Sequence, residues 1–123
     1  MSAHSPEAIA RQEIDALLDQ LPMEIQGEAK SVPIFYEDYP SPAQEQEGVA
    51  PCTLGLLEGG NRNEHLSGTV ATHPCIYIFL ENLYDEADGD AQVFREQVRV
   101  TYLHELGHYF GLEEEDMFPR GLD

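Results

Sequence analysis

Apolar residues recur at intervals of three and four near the start of the chain, a spacing typical of an amphipathic helix. Ser5, followed by Pro6 and Glu7, is typical of a helix N-terminus, and Pro22 marks the end of the pattern. The apolar positions are Ile9, Ile14, Leu17, Leu18 and Leu21. This segment is therefore predicted to be a helix that packs one face against the core.

Three short runs rich in β-branched and aromatic residues predict β-strands, at positions 32–37, 53–58 and 76–80. Pro33 places the first run at a strand start or at a sheet edge, because proline cannot donate a hydrogen bond to the ladder. The third run is nearly continuous in β-forming residues, so we expect it to be buried on both faces or to lie at a covered edge.

Polar segments connect these predicted elements. Residues 43–51 are polar, acidic and bounded by prolines, and they are predicted to form a surface loop. Residues 59–69 are rich in glycine, asparagine and charge, which favours turns. The acidic segment 82–90 is predicted to contain no more than a short helical turn around Leu83 and Tyr84.

The longest helical pattern runs from about residue 91 to residue 110. Asp90 is the expected N-cap, and Gly111 is the expected end of the helix. The apolar face consists of Val93, Phe94, Val98, Tyr102, Leu106, Tyr109 and Phe110. Because the order of elements is helix, strands, helix, the chain is predicted to be an α+β domain with a small sheet covered by helices.

Composition and charge narrow the possible functions. The 123 residues carry a formal net charge of −18, and 41% of them are hydrophobic, which indicates a single domain over residues 1–123 with one core. A polyanion without a basic run repels phosphate backbones, so nucleic acid is not an expected partner. The chain has no run long enough for a membrane span and no leader pattern, and we expect a cytoplasmic monomer. Cys52 and Cys75 are expected to be reduced and buried.

The sequence HELGH, at positions 104–108, lies on the predicted C-terminal helix. Side chains four residues apart project from the same helix face, so His104 and His108 are placed to bind one metal ion such as zinc. Glu105 lies about 100° around the helix from His104, where a carboxylate can take a proton from a water molecule without binding the metal. The alternative is that the two histidines are no more than a polar stripe on the helix.

The residues after this pentapeptide strengthen the interpretation as a metal site. Gly111 follows His108 by three positions and allows the chain to turn back after the helix. The acidic run 113–116 then falls where a third ligand is expected. One carboxylate from this run would complete the ligand set and leave the fourth position of a zinc ion for water.

The stretch 101–117, TYLHELGHYFGLEEEDM, resembles the motif of zincins, and more narrowly that of small bacterial zincin-like metallopeptidases. The order of the segments TLGLLEGG at 53–60 and CIYIFLENL at 75–83 is also similar. The resemblance covers roughly residues 32–117. It implies a zincin-like α+β fold in which a small mixed β-sheet packs against helices and the HExxH helix lies near the C-terminus.

The family pattern, HExxHxxGxx followed by an acid, carries over to this sequence residue by residue. The resemblance implies that His104 and His108 are metal ligands, that Glu105 is the general base, and that Glu114 is the third ligand after Gly111. Glu114 stands where the small bacterial family has Asp, and Asp116 is the competing third ligand. Met117 follows too closely to form the Met-turn found in metzincins.

The resemblance implies hydrolysis of peptide bonds in a peptide or protein substrate, with one zinc ion that lowers the pKa of bound water to roughly 7. It also implies that a strand near the motif helix pairs with an extended peptide, and the run 76–80 is the candidate. The side chains that could stabilise the transition state are His65, His73, Tyr77 and Tyr102. The alternative function is a metal-stabilised binding or regulatory domain with little or no turnover.

Overall fold

The computed structural model describes residues 5–68 and 73–112. The elements in chain order are α1 (Pro6–Gln20), α2 (Met23–Lys30), β1 (Ile34–Glu37), α3 (Pro42–Gln46), β2 (Gly55–Glu58), α4 (Arg62–Leu66), β3 (Cys75–Phe79), α5 (Leu80–Glu86) and α6 (Ala91–Tyr109). A three-stranded mixed sheet packs against helices, so the predicted α+β class is confirmed. No helix in the described part of the chain is long and apolar enough to cross a membrane.

The two long helices begin and end where the sequence predicts. The Ser5 hydroxyl accepts a hydrogen bond from the Ala8 N–H at 3.2 Å and caps α1. The Asp90 carboxylate accepts hydrogen bonds from the N–H groups of Gln92 and Val93 and caps α6. After α6, Gly111 adopts a positive φ of 78°, which permits the chain to leave the helix axis at this point.

The sheet has the order β1-β3-β2, so the last strand in the sequence lies in the centre. β1 pairs with β3 in parallel, and β2 pairs with β3 in the antiparallel direction. β3 therefore has no free edge for a peptide, and the prediction that the run 76–80 pairs with a substrate is wrong. The physical reason is that β3 is hydrogen-bonded to β1 on one side and to β2 on the other, so its backbone groups are already used.

Four helices lie outside the two long patterns, and all of them are short. α2 was not predicted, and α3 lies in the segment expected to be a loop. Ser41 and Gln44 form a capping box there, with Gln44 Oε1 accepting from the Ser41 N–H at 2.9 Å. α4 lies in the segment predicted to be turns, and α5 extends the predicted helical turn over seven residues. Helices of five to eight residues are too short to reveal a period of 3.6.

The hydrophobic core lies between one face of the sheet and the helices α1, α5 and α6. Ile76 and Ile78 of β3 are fully buried on this face, as are Phe94, Val98 and Tyr102 of α6. These contacts hold α6 against the core along its length. The candidate functional residues lie on the side of α6 that does not face the core.

The two cysteines are both unpaired, as expected from the sequence. Cys52 is exposed, which corrects the expectation that both are buried, and Cys75 is half-buried on β3. Cys52 follows Pro51 in the turn before β2, where the chain runs along the surface.

Candidate functional site

His104 and His108 lie one turn apart on α6, and their imidazole rings are neighbours. The ring centroids are 4.9 Å apart, and the planes meet at 75°. His104 is half-buried and His108 is exposed. The structure thus brings together the two histidines that the sequence singles out, on the side of α6 that faces away from the core.

The side chain of Glu105 extends from α6 toward β2, where it is partly buried. Burial raises the pKa of its carboxyl above the ordinary value, while the neighbouring His104 and a hydrogen bond from the backbone N–H of Leu57 lower it. The net effect is a raised pKa, because desolvation is the largest of these influences. A carboxylate held in this way binds a proton more readily than an exposed glutamate does.

A cleft of about 300 Å³ adjoins these side chains. Its walls come from β2 with the residue before it and from the middle of α6. The residues that line it are Leu54, Gly55, Gln97, Val100, Thr101, His104 and Glu105. Val100 is 51% exposed although it is apolar, so this wall offers hydrocarbon surface to a bound molecule.

The free edge of β2 lies beside Glu105. The Phe79 N–H donates to the Leu54 carbonyl at 3.0 Å, so the backbone groups of Leu54 face β3. Because successive residues of a strand direct their N–H and C=O groups to opposite sides, those of Gly55 and Leu57 point away from β3. The Leu57 N–H reaches the Glu105 carboxylate on this side. Among the described residues, β2 therefore has an unpaired edge beside α6, whereas β3 is paired on both sides.

The acidic run 113–116, which is predicted to supply the third metal ligand, follows α6. Glu114 and the competing Asp116 both lie outside the described residues, as does Met117. Within residues 5–68 and 73–112, no group of three or more His, Cys, Asp or Glu side chains is arranged to hold a metal ion. The described part of the chain thus brings two candidate ligands together, His104 and His108, and the oxygen donor stays a prediction.

The described candidates for transition-state stabilisation lie away from the cleft. Tyr102 is fully buried in the core, so it does not turn toward the cleft. Tyr77 lies between the rings of Phe35 and Phe79, on the sheet face opposite to Ile76 and Ile78.

His73 is the histidine candidate whose side chain the structure describes. His73 lines a different cavity, together with Arg62 and Tyr109. The side chain of His65 lies outside the described part.

Sequence reasoning missed two features of this site, Gly55 and the Leu57 N–H. A Cβ atom on Gly55 would lie 2.5 Å from Thr101 Cγ2 and 3.3 Å from Glu105 Cγ, so β2 and α6 approach closely at this point. A glycine inside a strand pattern often marks a close approach between backbones, and this signal is present in the run 53–58. The Leu57 hydrogen bond leaves no signal in the sequence, because it depends on how β2 packs against α6.

A comparison with protein-family models gives a match over residues 29–122, to the family described as zincin-like metallopeptidase. The matched region contains all three strands and the motif helix. A comparison with curated proteins gives no significant match. Because the family model covers most of the chain, the resemblance noted from the motif is confirmed, and the chain belongs to the zincin-like metallopeptidase family.

Proposed function

We propose that this protein is a zinc-dependent peptidase, with Glu105 as the general base and with His104, His108 and Glu114 as the ligands of one zinc ion. The observation that carries the proposal is that the two imidazoles and Glu105 lie on one side of α6, next to a cleft and a free strand edge. Membership of a metallopeptidase family supports the same reaction class.

The donor set fits a zinc ion. Imidazole nitrogens are common zinc ligands, and two histidines one helical turn apart can bind the same ion. A carboxylate from the residues after Gly111 would add the oxygen donor that such sites use. When bound, the ion would supply Lewis acidity and would lower the pKa of a coordinated water. His104 and His108 would hold it from α6, which the core packing of Leu103 and Leu106 keeps in place.

Glu105 is the residue of this chain that moves protons in the proposed reaction. Its carboxylate would accept a proton from the attacking water and then deliver it to the nitrogen of the leaving amine. Its raised pKa suits this role, because a base with a pKa nearer to the working pH takes up and returns a proton more readily. Glu105 lines the cleft and lies beside the backbone of Leu57, so it is placed to reach a molecule bound there.

The substrate class that we propose is an extended peptide. The outward N–H and C=O groups of Gly55 and the outward C=O of Leu57 can form main-chain hydrogen bonds with such a chain, as in other proteins that add a strand to a sheet edge. The cleft beside them, with the apolar side chains Leu54 and Val100, would take a substrate side chain. β2 lies against α6, so a peptide paired with it would pass directly over Glu105.

The proposal is tested with untagged protein that is reconstituted with zinc and incubated with a peptide library. We expect one zinc per chain by metal analysis and cleavage products by mass spectrometry. Glu105→Gln should keep its zinc and its fold but lose activity by about 10²- to 10⁴-fold, the usual contribution of a general base. The matched control is Glu96→Gln on the same helix, because Glu96 is exposed and does not line the cleft.

Zinc binding also has a thermodynamic readout. A ligand that binds only the folded state raises the melting temperature, so zinc should raise that of the unmodified protein but not that of a His104→Ala, His108→Ala double variant. A protein that binds zinc and cleaves no peptide would instead favour the metal-stabilised binding or regulatory domain. A protein that takes up no zinc would contradict both functions.

A further inference from the structure

We propose that Gly55 is a positioning residue for Glu105, and that its contact with Thr101 sets how closely β2 and α6 approach. This inference rests on the proposed function in one respect, namely that Glu105 acts on a peptide held beside β2. The structural part, that Gly55 determines where the Glu105 carboxylate lies, stands on the geometry of the two elements.

The role of Gly55 is steric rather than conformational. Gly55 is not among the glycines with a positive φ, so its backbone does not require the absence of a side chain. A Cβ atom would instead lie 2.5 Å from the Thr101 methyl group, a separation that non-bonded carbon atoms do not tolerate. It would also lie 3.3 Å from Glu105 Cγ and 3.4 Å from the carbonyl oxygen of Tyr77.

Thr101 cannot easily give way to an added methyl group. Its side chain is buried, with 7% of its surface exposed, and it sits on α6 one turn before Glu105. Threonine is branched at Cβ, so few χ1 rotamers are open to it in a helix. The helix itself is fixed by the core packing of the adjacent Tyr102 and Leu103. We therefore expect an alanine at position 55 to move β2 away from α6.

A shift of β2 changes the surroundings of Glu105 more than it changes the histidine pair. His104 and His108 both belong to α6, so their separation does not depend on the strand. The Leu57 N–H belongs to β2, and it would move with the strand and release the Glu105 carboxylate. A peptide paired with β2 would move in the same direction, away from the base. Metal binding should survive, whereas proton transfer should slow.

The variant that tests the inference is Gly55→Ala, with Gly27→Ala as the matched control. Gly27 lies in α2, and a Cβ atom there would meet no heavy atom within 4 Å. For Gly55→Ala we expect kcat to fall by about 10- to 100-fold, the usual cost of a displacement near 1 Å, with KM changed by less than about threefold. Zinc stoichiometry should stay that of the unmodified protein, and Gly27→Ala should keep its kcat.

A compensating substitution distinguishes a specific contact between Gly55 and Thr101 from a general loss of structure. Thr101→Ser removes the methyl group that the new Cβ would meet and keeps the hydroxyl. The double variant Gly55→Ala, Thr101→Ser should recover kcat to within about threefold of the Thr101→Ser single variant, which makes the two substitutions strongly non-additive. If Gly55→Ala alone does not fold, the double variant should fold, because the overlap is absent from it.

A second readout does not require activity. The Leu57 amide lies beside the Glu105 carboxyl, and its exchange with deuterated solvent can be followed by NMR in metal-free protein. We expect the exchange of this amide to be faster in Gly55→Ala, unchanged in Gly27→Ala and slowed again in the double variant. This measurement tests the role of Gly55 even if the unmodified protein cleaves no peptide. An absence of cleavage would contradict the proposed function but not the positioning role of Gly55.

Three results would overturn the inference. The first is a Gly55→Ala protein that keeps both its kcat and the protection of the Leu57 amide. The second is a loss of kcat that Thr101→Ser does not reverse, because the contact with Thr101 would then not be the cause. The third is a failure of both Gly55→Ala and the double variant to fold.

Discussion

The hydroxyl of Tyr102 is buried in the core with no hydrogen-bond partner among the described residues. The ring itself is fully buried, and burial raises the pKa of the phenol well above its usual range. A buried polar group without a partner costs free energy, since its hydrogen bonds to water are lost and not replaced. Tyr109, on the same helix, has a different environment, because its hydroxyl donates to Glu28 Oε2 at 3.0 Å.

This difference predicts opposite effects for the same substitution. Tyr102→Phe should raise the free energy of unfolding by about 1 kcal/mol, because it removes an unpartnered hydroxyl and keeps the ring. Tyr109→Phe should lower the free energy of unfolding by about 1 kcal/mol, because it removes a hydrogen bond to a carboxylate. Urea unfolding of the two variants and the unmodified protein measures both effects. A loss of stability in Tyr102→Phe would mean that its hydroxyl has a partner.

The functional residues differ in how far the sequence could predict them. The placing of His104, Glu105 and His108 followed from spacing, because a helix converts a fixed sequence separation into a fixed direction. Gly55 lies in a separate strand, and its contact with Thr101 arises from packing between elements, which spacing does not encode. Tyr102 fits the apolar pattern of the helix, and the structure assigns it to the core rather than to the cleft.

Helix α6 carries both histidines and Glu105, so the site depends on where this element begins and ends. At the N-terminus of α6, the Asp90 side chain accepts two backbone hydrogen bonds, from Gln92 N at 2.9 Å and from Val93 N at 3.0 Å. These bonds satisfy N–H groups that have no partner within the helix. The sequence predicted this cap because an aspartate preceded the first periodic apolar residue.

Removal of the cap should destabilise the protein without changing the site. We expect Asp90→Ala to lower the free energy of unfolding by about 1 kcal/mol, the usual cost of losing an N-cap side chain. Asp90→Asn should keep most of the stability, because its side-chain oxygen can accept the same hydrogen bonds. The measurement is the urea midpoint of the three proteins. Equal midpoints for Asp90→Ala and the unmodified protein would show that the cap contributes nothing.

At the scale of elements, the sequence predicted those long enough to show a period. α1, α6 and the three strands were identified, whereas α2, α3 and α4 were not. The order of the strands in the sheet could not be predicted from the sequence, because it depends on which strands pair over long sequence separations. The apolar run of β3 indicated a strand in the core, but burial is complete only for Ile76, Ile78 and Phe79, while Cys75 and Tyr77 are half-buried. A central strand cannot also be the edge that receives a peptide.

The whole molecule has a formal net charge of −18 over 123 residues, which produces strong repulsion in the folded state. In the described residues, ion pairs such as Arg11 with Glu7 and Lys30 with Asp19 are exposed, and exposed pairs offset little of this repulsion. Dissolved salt screens charges separated by more than about 10 Å at 0.1 M ionic strength.

Salt should therefore stabilise this protein. We expect the melting temperature of the metal-free protein to rise by a few degrees between low and moderate sodium chloride, which corresponds to about 1 kcal/mol for a chain of this size. A Glu47→Gln, Glu86→Gln variant should show a smaller rise, because both residues are exposed acids at helix C-terminal ends. Calorimetry at several salt concentrations measures the slope. A melting temperature that falls with salt would contradict the argument.

The central position of β3 has a consequence for synthesis on the ribosome. β1 and β2 both precede β3 in the chain, and in the described residues each of them pairs with β3 alone. A nascent chain that has emerged only as far as β2 holds two strands with no partner for either. The native pairs of the sheet therefore cannot form before β3 has emerged.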